Sequence, residues 1–308
     1  MSSYKTESYL WVDDLSAEGT QQIFQRAKAI KNQLKTGPLE PTLQGRQIAL
    51  VFSEASTRTK MSFQMAAQRL GAQCLVIDNV KSSSMSKGET FEDTFWTLHS
   101  IRPDIFVIRC GGHEPLESLV EKSEIPIVNG GFGSVAHPTQ ALLDTFTMQE
   151  YFGSLKGLKV LFVGDLDHSR VAQSNFKLLT QFAVDVGVCA PAELSKNMPS
   201  SFKKFETLDE AVQWCDVYVG LRVQFERHVE KFSKEFTKED YVKNYGLNKE
   251  CLKKLNKDAV IMHPGPVNWA IEFQDEVKTD PRLLMWSQKE NGVYVRAALM
   301  ETILRNNS

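Results

Sequence analysis

The sequence has few cysteines and none of them in a paired motif. Five are scattered among 308 residues without a CxxC pair, and four of them lie in or beside apolar runs. They are Cys74, Cys110, Cys189, Cys215 and Cys251. This usage is typical of buried, reduced thiols in a cytosolic protein.

Long hydrophobic runs and an excess of positive charge are also missing. No apolar stretch approaches the roughly 20 residues of a membrane span, and the first residues, MSSYKTESYL, lack the layout of a signal peptide. The 36 lysines and arginines against 38 acids give a net charge of −2, so no overall basic field attracts nucleic acid or an anionic membrane. We therefore expect a cytoplasmic protein that binds neither, and local clusters of cations must hold any anion.

Glycine-rich nucleotide motifs are absent from the chain. The sequence contains neither a Walker loop nor GxGxxG, the arrangements that commonly bring backbone N–H groups to a nucleotide phosphate. A Rossmann-type nucleotide binder is therefore disfavoured.

Short β-branched runs alternate with helix-period segments along the chain. Eight such runs lie at 47–52, 73–78, 104–110, 126–129, 158–165, 185–190, 216–220 and 259–263. The alternation predicts an α/β fold of two domains, each a mainly parallel sheet flanked by helices. Two glycines in YFGSLKGLKV set the boundary, giving domains 1–150 and 151–291, and a last helix at 292–308 is expected to pack back on the first domain.

Hydrogen-bond donors are concentrated between the first strand and the next helix, in FSEASTRTKMSF (52–63). Ser56, Thr57, Arg58 and Thr59 stand where the helix begins, and a helix start offers unpaired backbone N–H groups and the positive end of the dipole. Together these groups fit the oxygens of a phosphate. A capping hydroxyl beside a surface arginine is equally compatible with this stretch alone.

Three further segments of the first half point to anion or carbonyl chemistry. Lys87 follows four serines on a polar loop, and Arg109 stands near the end of a strand, where ligands of open α/β sheets collect. The segment HPTQ (137–140) begins a helix with proline in its first turn. A neutral His137 there can donate to a carbonyl oxygen and Gln140 can accept from an amide, although a histidine that only caps the helix is the alternative.

Strand ends in the second half carry similar side chains. GDLDHSR (164–170) brings Arg170 to a helix start, and RVQFER (222–227) follows a strand. HPGPVN (263–268) forms a rigid turn that exposes backbone carbonyls, and a cis Gly265–Pro266 bond is predicted there. In total, five of the eight strand ends finish in arginine, histidine or hydroxyl donors.

Together these motifs give the chain a resemblance to the aspartate/ornithine carbamoyltransferase family. STRT, KGE, the strand-end arginine, HPTQ, GDLDHSR, RVQ and HPGPVN follow in the family's order over nearly the whole chain. RVQ and the Pro-Gly-Pro turn resemble the aspartate branch, since the ornithine branch has a cysteine-containing HCLP instead. The resemblance implies transfer of the carbamoyl group of carbamoyl phosphate to the α-amine of L-aspartate, in pyrimidine biosynthesis, without metal or cofactor.

The resemblance also implies roles for individual residues. Catalytic roles fall to Arg58, Thr59, Arg109 and His137. Carbamoyl phosphate binding is implied for Ser56, Thr57, Arg58, Thr59, Ser83, Lys87, Arg109, His137, Gln140, Pro264 and Gly265. Aspartate binding is implied for Lys87, Arg170, Arg222 and Gln224, and domain closure for Glu54, paired with Arg170 and Arg227.

The family pattern further implies partners. The serine and lysine of the 82–89 loop enter the site from a neighbouring subunit, which implies a homotrimer with shared active sites; Ser83 and Ser84 are both candidates for that serine, and we favour Ser83. A regulatory chain or a dihydroorotase is a conceivable further partner. Trp269 stands where many relatives have arginine, and we expect it to alter surface ion pairs rather than the chemistry.

Two other functions stay open beside this one. A carbamoyltransferase acting on ornithine or another amine is the nearer, but Arg222 and Gln224 favour an acceptor with a second carboxylate. A catalytically silent relative that serves as a scaffold or regulatory partner is the other, and the retention of every cationic and hydroxyl position argues against it.

Overall fold

The structure, a computed structural model, describes residues 7–78, 88–112, 116–223 and 237–307. The chain divides into two units, Met1–Phe146 with Glu290–Ser308, and Thr147–Lys289. Each unit is built on one parallel sheet flanked by helices, so the predicted fold class is confirmed.

The sheet of the first unit has four parallel strands in the order β2-β1-β3-β4. They are β1 (Gln47–Phe52), β2 (Gln73–Ile77), β3 (Ile105–Cys110) and β4 (Ile127–Phe132). The central strand β3 is buried along its whole length, as expected of a parallel strand with helices on both faces. All four strands therefore end at the same edge of the sheet, where the motifs of the first half lie.

Helices connect and cover these strands. They are α1 (Ala17–Thr36), α2 (Thr57–Arg69), α3 (Phe91–Ser100), α4 (Leu116–Lys122) and α5 (Pro138–Phe152). Helix α1 was not predicted, although its buried stripe of Ile23, Phe24, Ala27 and Ile30 has helical spacing.

The last helix, α10 (Met285–Asn306), begins seven residues before the predicted start at 292. It contacts α1 through Asn291 and Glu301. Arg26 Nη2 donates to Glu301 Oε1 at 2.9 Å, and Lys31 Nζ donates to Asn291 Oδ1 at 2.9 Å. These contacts place the end of the chain in the first unit.

The sheet of the second unit has five parallel strands in the order β7-β6-β5-β8-β9. They are β5 (Lys159–Val163), β6 (Asp185–Cys189), β7 (Lys203–Lys204), β8 (Val217–Gly220) and β9 (Val260–Met262). The helices are α6 (Arg170–Thr180), α7 (Leu208–Trp214), α8 (Lys238–Tyr245) and α9 (Lys249–Lys254). Strand β5 sends Val160 and Phe162 into one apolar cluster and Leu161 and Val163 into another, because successive side chains point to opposite faces.

Two segments of the second unit differ from the sequence-based description. The edge strand β7 consists of two exposed lysines, which give no apolar signal. Helix α8 was not predicted from its charged sequence, and Tyr241 on that helix is buried against Leu194 and Val223.

Two general expectations concern cysteines and membranes. No disulfide joins the five cysteines; Cys74 is half-buried and the other four are buried. In the described part of the chain, no helix combines the length and the apolar character needed to cross a membrane.

Candidate active site

The start of α2 presents the donors of the STRT segment. Ser56 occupies the N-cap with extended backbone (φ −157°, ψ 99°), and within the described residues its side chain makes no capping hydrogen bond. Thr57 and Arg58 follow at the exposed first turn. The capping interpretation therefore has no support from Ser56, and phosphate binding at the start of α2 stays a prediction.

Thr59 and His137 come together although they are far apart in sequence. Thr59 Oγ1 lies 3.4 Å from His137 Nε2, and both residues are 5% exposed. A tight turn before α5 places the histidine, since the N–H of Phe132 donates to the carbonyl of Ala136 at 2.8 Å. Two polar groups at two helix starts can thus reach one carbonyl oxygen.

Arg109 is buried at the end of β3, and an irregularity in the sheet positions it. The pairing of β3 with β4 shifts after Ile108, so that Arg109 pairs with Gly131 rather than Gly130. Such a bulge redirects the side chain beside it, and Arg109 Nη1 lies 3.4 Å from the carbonyl of Gly130. Gly131 has φ +131°, and a Cβ there would lie 2.8 Å from Arg109 Nη1. Glycine at 131 is therefore required by both the backbone and the arginine.

Glu54 contacts Arg109, a pairing that sequence reasoning missed. Its Oε2 lies 3.5 Å from Arg109 Nη2, so this carboxylate offsets part of the charge of a guanidinium that is 9% exposed. Its predicted pairing with Arg170 and Arg227 stays a prediction, and Arg227 lies outside the described residues.

Gln140, one turn into α5, has a defined amide orientation. Its Nε2 donates to Asp144 Oδ1 at 2.8 Å, and Asp144 is fully buried. A carboxylate can only accept, so the NH2 group must face Asp144. The carbonyl oxygen of Gln140 is thereby turned away from Asp144, and its role as an acceptor from an amide stays a prediction.

In the second unit, Arg170 is the first residue of α6. Ser169 caps this helix by accepting from the N–H of Ala172 at 3.2 Å. The preceding loop is fixed by its own acids: Asp167 accepts from two backbone N–H groups at 2.8 and 3.0 Å, and buried Asp165 lies 2.9 Å from His168 Nδ1. The polar residues before Arg170 thus stabilise the loop. Arg170 itself is half-buried at the end of that loop.

Arg222 follows β8, and it therefore lies at the same edge of the second unit's sheet at which the parallel strand β5 ends. The N–H of Leu221 donates to the carbonyl of Val163 at 2.8 Å, and a Cβ at Gly164 would lie 2.5 Å from the carbonyl oxygen of Leu221. Gly164, with φ +130°, therefore permits a close approach of the two segments that carry Arg170 and Arg222.

The HPGPVN turn contains the predicted cis Gly265–Pro266 bond. The N–H of Gly265 donates to His263 Nδ1 at 2.8 Å, and the N–H of His263 donates to Gln288 Oε1 at 3.0 Å. Pro264 and Gly265 are half-buried. Their backbone is fixed from both sides, so their carbonyls are defined acceptors.

The remaining predicted residues lie outside the described part of the chain, and the structure adds residues that were not predicted. Ser83, Ser84, Lys87, Gln224 and Arg227 lie outside the described residues. Sequence reasoning missed three buried charged residues that contact the segments carrying the predicted ones. They are Asp144, Glu272 and Arg296. The only signal in the sequence is a charged residue inside an apolar helical run, as for Arg296 in VYVRAALM.

Two profiles of one protein family match the two halves of the chain. The sequence profile described as "Aspartate/ornithine carbamoyltransferase, carbamoyl-P binding domain" matches residues 7–150. The profile described as "Aspartate/ornithine carbamoyltransferase, Asp/Orn binding domain" matches residues 156–303. The chain belongs to the aspartate/ornithine carbamoyltransferase family.

Relatives within this carbamoyltransferase family are similar over almost the full chain. Proteins named aspartate carbamoyltransferase catalytic subunit are 40% identical in Prosthecochloris aestuarii (94% of this chain and 95% of that protein) and 41% identical in Aliarcobacter butzleri (96% and 97%). Among solved structures, aspartate transcarbamoylase from Trypanosoma cruzi with carbamoyl aspartate and phosphate has a TM-score of 0.87 at 29% identity, covering 96% of both chains. The catalytic subunit from M. jannaschii has a TM-score of 0.85 at 30% identity, covering 98% and 99%.

Proposed function

We propose that this enzyme transfers the carbamoyl group of carbamoyl phosphate to the α-amine of L-aspartate, giving N-carbamoyl-L-aspartate and phosphate. The observation that carries the proposal is the buried pair Thr59 and His137, 3.4 Å apart at two helix starts of the unit that also buries Arg109. The names of the curated relatives and the ligands of the T. cruzi structures support the choice of substrates.

The phosphate of carbamoyl phosphate binds at the start of α2. Ser56, Thr57 and Arg58 supply hydroxyls, a guanidinium and the backbone N–H groups of the first turn. Arg109 contacts both the phosphate and the carbonyl oxygen. Because an acyl phosphate is already an activated mixed anhydride, binding and charge stabilisation suffice for the reaction.

The chemical step is the attack of the aspartate amine on the carbonyl carbon. The new C–N bond forms, the C–O bond to phosphate breaks, and the departing phosphate takes a proton from the amine. Thr59, Arg109 and His137 stabilise the negative charge on the carbonyl oxygen of the tetrahedral intermediate. Groups of this kind typically contribute about 10²–10³ in rate each.

The carbamoyl NH2 group needs acceptors, and the enzyme supplies carbonyl oxygens. One acceptor is the side-chain carbonyl oxygen of Gln140, whose NH2 group donates to Asp144. The backbone carbonyls of Pro264 and Gly265 are the other acceptors, held by the His263 contacts of the turn. Carbamoyl phosphate is thereby distinguished from an acyl phosphate without an amine.

Aspartate binds through its two carboxylates. Arg170 takes the α-carboxylate, while Arg222, Gln224 and Lys87 take the β-carboxylate. Two anionic substrates repel each other, and these cations with Arg58 and Arg109 offset that repulsion. Glu54 pairs with Arg170 and Arg227 when the domains close around the substrates.

The enzyme acts as a homotrimer in the cytoplasm, in pyrimidine biosynthesis. Ser83 and Lys87 reach the site of a neighbouring subunit in this arrangement. Cysteines without disulfides support a reducing compartment, and the name "catalytic subunit" of the relatives supports an oligomer.

The test is the reaction itself with competing acceptors. Purified enzyme and carbamoyl phosphate are given either L-aspartate or L-ornithine, and the carbamoylated product is identified by mass spectrometry. We expect N-carbamoyl-L-aspartate with aspartate, and a loss of about 10²–10³ in Arg109→Ala. Product only with ornithine would reassign the acceptor. No product with either, and no rise in the melting temperature with N-(phosphonacetyl)-L-aspartic acid, would favour the scaffold alternative.

A further inference from the structure

Arg296 on α10 is a buried cation that the proposed mechanism does not use. It is 3% exposed, and its guanidinium carbon lies 4.9 Å from the centre of the Phe63 ring. Its Nη1 donates to Ser62 Oγ, and its Nη2 lies 3.4 Å from Thr139 Oγ1. One guanidinium therefore bridges α2 and α5 through two hydroxyls.

The charge of Arg296 is stabilised only in part by its surroundings. Burial lowers its pKa to about 9, the carboxylate of Asp144 acts in the opposite direction, and the nearby charge of Arg109 lowers it further. The guanidinium thus remains charged at neutral pH in spite of its burial. A buried charge bound mainly by neutral hydroxyls is costly, which indicates a role beyond packing.

The contacts of Arg296 lead to three residues of the proposed site. Ser62 Oγ donates in turn to the carbonyl of Thr59 at 3.0 Å. Thr139 lies between His137 and Gln140 in the HPTQ segment. Asp144, whose charge acts on Arg296, accepts from Gln140.

The backbone of α10 leaves room for this arrangement at one position. A Cβ at Gly292, one turn before Arg296, would lie 2.8 Å from Arg296 Nη1 and 3.1 Å from Leu143 Cδ2. A side chain at 292 would therefore force the guanidinium to shift from its position between α2 and α5.

We propose that Arg296 is a positioning residue for the carbamoyl-binding half of the site. It fixes the starts of α2 and α5 relative to each other, so that Thr59 and His137 act on the same carbonyl oxygen. Misplacement of a reacting group by about 1 Å can cost ~10² in rate, so a link of this kind affects turnover without contacting substrate. The inference rests on the proposed function.

The test separates turnover from the amount of folded enzyme. Arg296→Met keeps much of the volume and removes the charge and both donors. Active sites are counted by titration with N-(phosphonacetyl)-L-aspartic acid, and kcat is expressed per titrated site. We expect kcat to fall by about 10²-fold while KM for aspartate changes less than about twofold. Arg296→Lys keeps the charge but lacks the planar fork that reaches both hydroxyls, and we expect it to recover less than about tenfold.

Two further variants keep the proposal falsifiable if Arg296→Met does not fold. Ser62→Ala removes the link to Thr59 alone and should lower kcat by about tenfold. Combined with Arg296→Lys, it should lower kcat by less than the product of the two single effects, because both changes break the same link. The matched control is Arg26→Met, which removes another arginine bound to α10 and should leave kcat per site unchanged.

The possible results test the positioning role of Arg296 separately from the proposed function on which it rests. Wild-type kcat per site in Arg296→Met or Ser62→Ala, with only a lower melting temperature, would show that Arg296 is merely structural. Full recovery in Arg296→Lys would assign the effect to charge and overturn the positioning role. A wild-type enzyme that forms no carbamoyl aspartate would instead overturn the proposed function.

Discussion

The carboxylate of Glu272 accepts a hydrogen bond from the backbone N–H of Val223 at 3.0 Å. The same carboxylate accepts from the N–H and the side-chain amide of Asn268 and lies 3.7 Å from His263 Nε2. Val223 follows Arg222, and Asn268 ends the HPGPVN turn. One buried acid therefore fixes both segments of the second unit that we expect to contact substrate.

We predict that Glu272→Gln lowers kcat/KM for aspartate by about 10²-fold. Glutamine has nearly the same shape, but it replaces one carboxylate oxygen with an NH2 group, so a donor faces a donor. Steady-state kinetics with each substrate varied in turn measures the change. Exposed Glu276 gives the control, since Glu276→Gln should leave both constants unchanged. Wild-type kinetics in Glu272→Gln would show that the two segments hold their positions without this carboxylate.

We predict that Gly131→Ala displaces Arg109 and lowers kcat by about 10²-fold. The added methyl group would lie 2.8 Å from Arg109 Nη1, on a backbone with φ +131°. Gly45→Ala is the matched control, because Gly45 also has positive φ (+81°) but no atom within 4 Å of the new Cβ. Both variants should be less stable, by about 1 kcal/mol for Gly45→Ala, but only Gly131→Ala should lose turnover per folded molecule. Equal turnover in the two variants would show that the bulge at Gly131 does not position Arg109 for catalysis.

We predict that His137→Ala lowers kcat by about 10²–10³, as for the loss of one donor to an oxyanion. His137 is 5% exposed and adjoins Thr59, so the change also leaves a small cavity. His99 supplies the control, since it packs among Phe95, Trp96 and Phe106 and His99→Ala should affect stability alone. A kcat reduced by less than tenfold would remove His137 from the catalytic set.

These variants also show how far the sequence could predict the site. Arg58, Thr59, Arg109 and His137 stand at strand ends or helix starts, and local periodicity with turn residues predicted these four ends. Glu272 and Arg296 were not predicted because their roles depend on contacts with residues that are distant in the chain. Arg296 contacts Ser62, which is 234 residues away, and Glu272 contacts Val223, which is 49 residues away. No pattern within one segment predicts such a contact.

The fold shows the same division between local and long-range signals. The eight predicted strands are present because each is a short β-branched run. Edge strand β7 was missed since Lys203 and Lys204 pair through their backbone with Gly187 and Val188, which side-chain pattern does not encode. The predicted start of the last helix was late because Met285–Asn291 contains mostly polar residues.

We predict that the cysteines react slowly in the native enzyme. Burial raises the pKa of Cys74 to about 11 and that of Cys189 and Cys215 to about 12. The thiolate is the reactive form, so at pH 8 only about 10⁻³ of a thiol with pKa 11 is reactive. Iodoacetamide labelling followed by mass spectrometry should modify at most half-buried Cys74, and all five after urea unfolding. Rapid labelling of a buried cysteine in the native state would contradict the packing described for it.

We predict that Arg26→Met destabilises the first unit in a pH-dependent way. Burial acts to raise the pKa of Glu301, but the hydrogen bonds from Arg26 and Thr42 and the charges of Arg26 and Arg305 together outweigh it, so the pKa lies below its ordinary value. A lowered carboxyl pKa stabilises the fold above the unfolded pKa, and this stabilisation is lost as the pH falls through the folded pKa.

Arg26→Met should therefore lower the melting temperature by about 2–8 °C at pH 7. The difference from wild type should shrink as the pH falls from about 4.5, the ordinary carboxyl value, through the lower pKa of Glu301 in the folded protein. Lys253→Met removes an exposed ion pair with Glu250 and is the control, with no measurable change expected. A difference that stays constant from pH 7 to pH 4 would mean that Arg26 stabilises α10 by packing of its aliphatic chain rather than through the charge of Glu301.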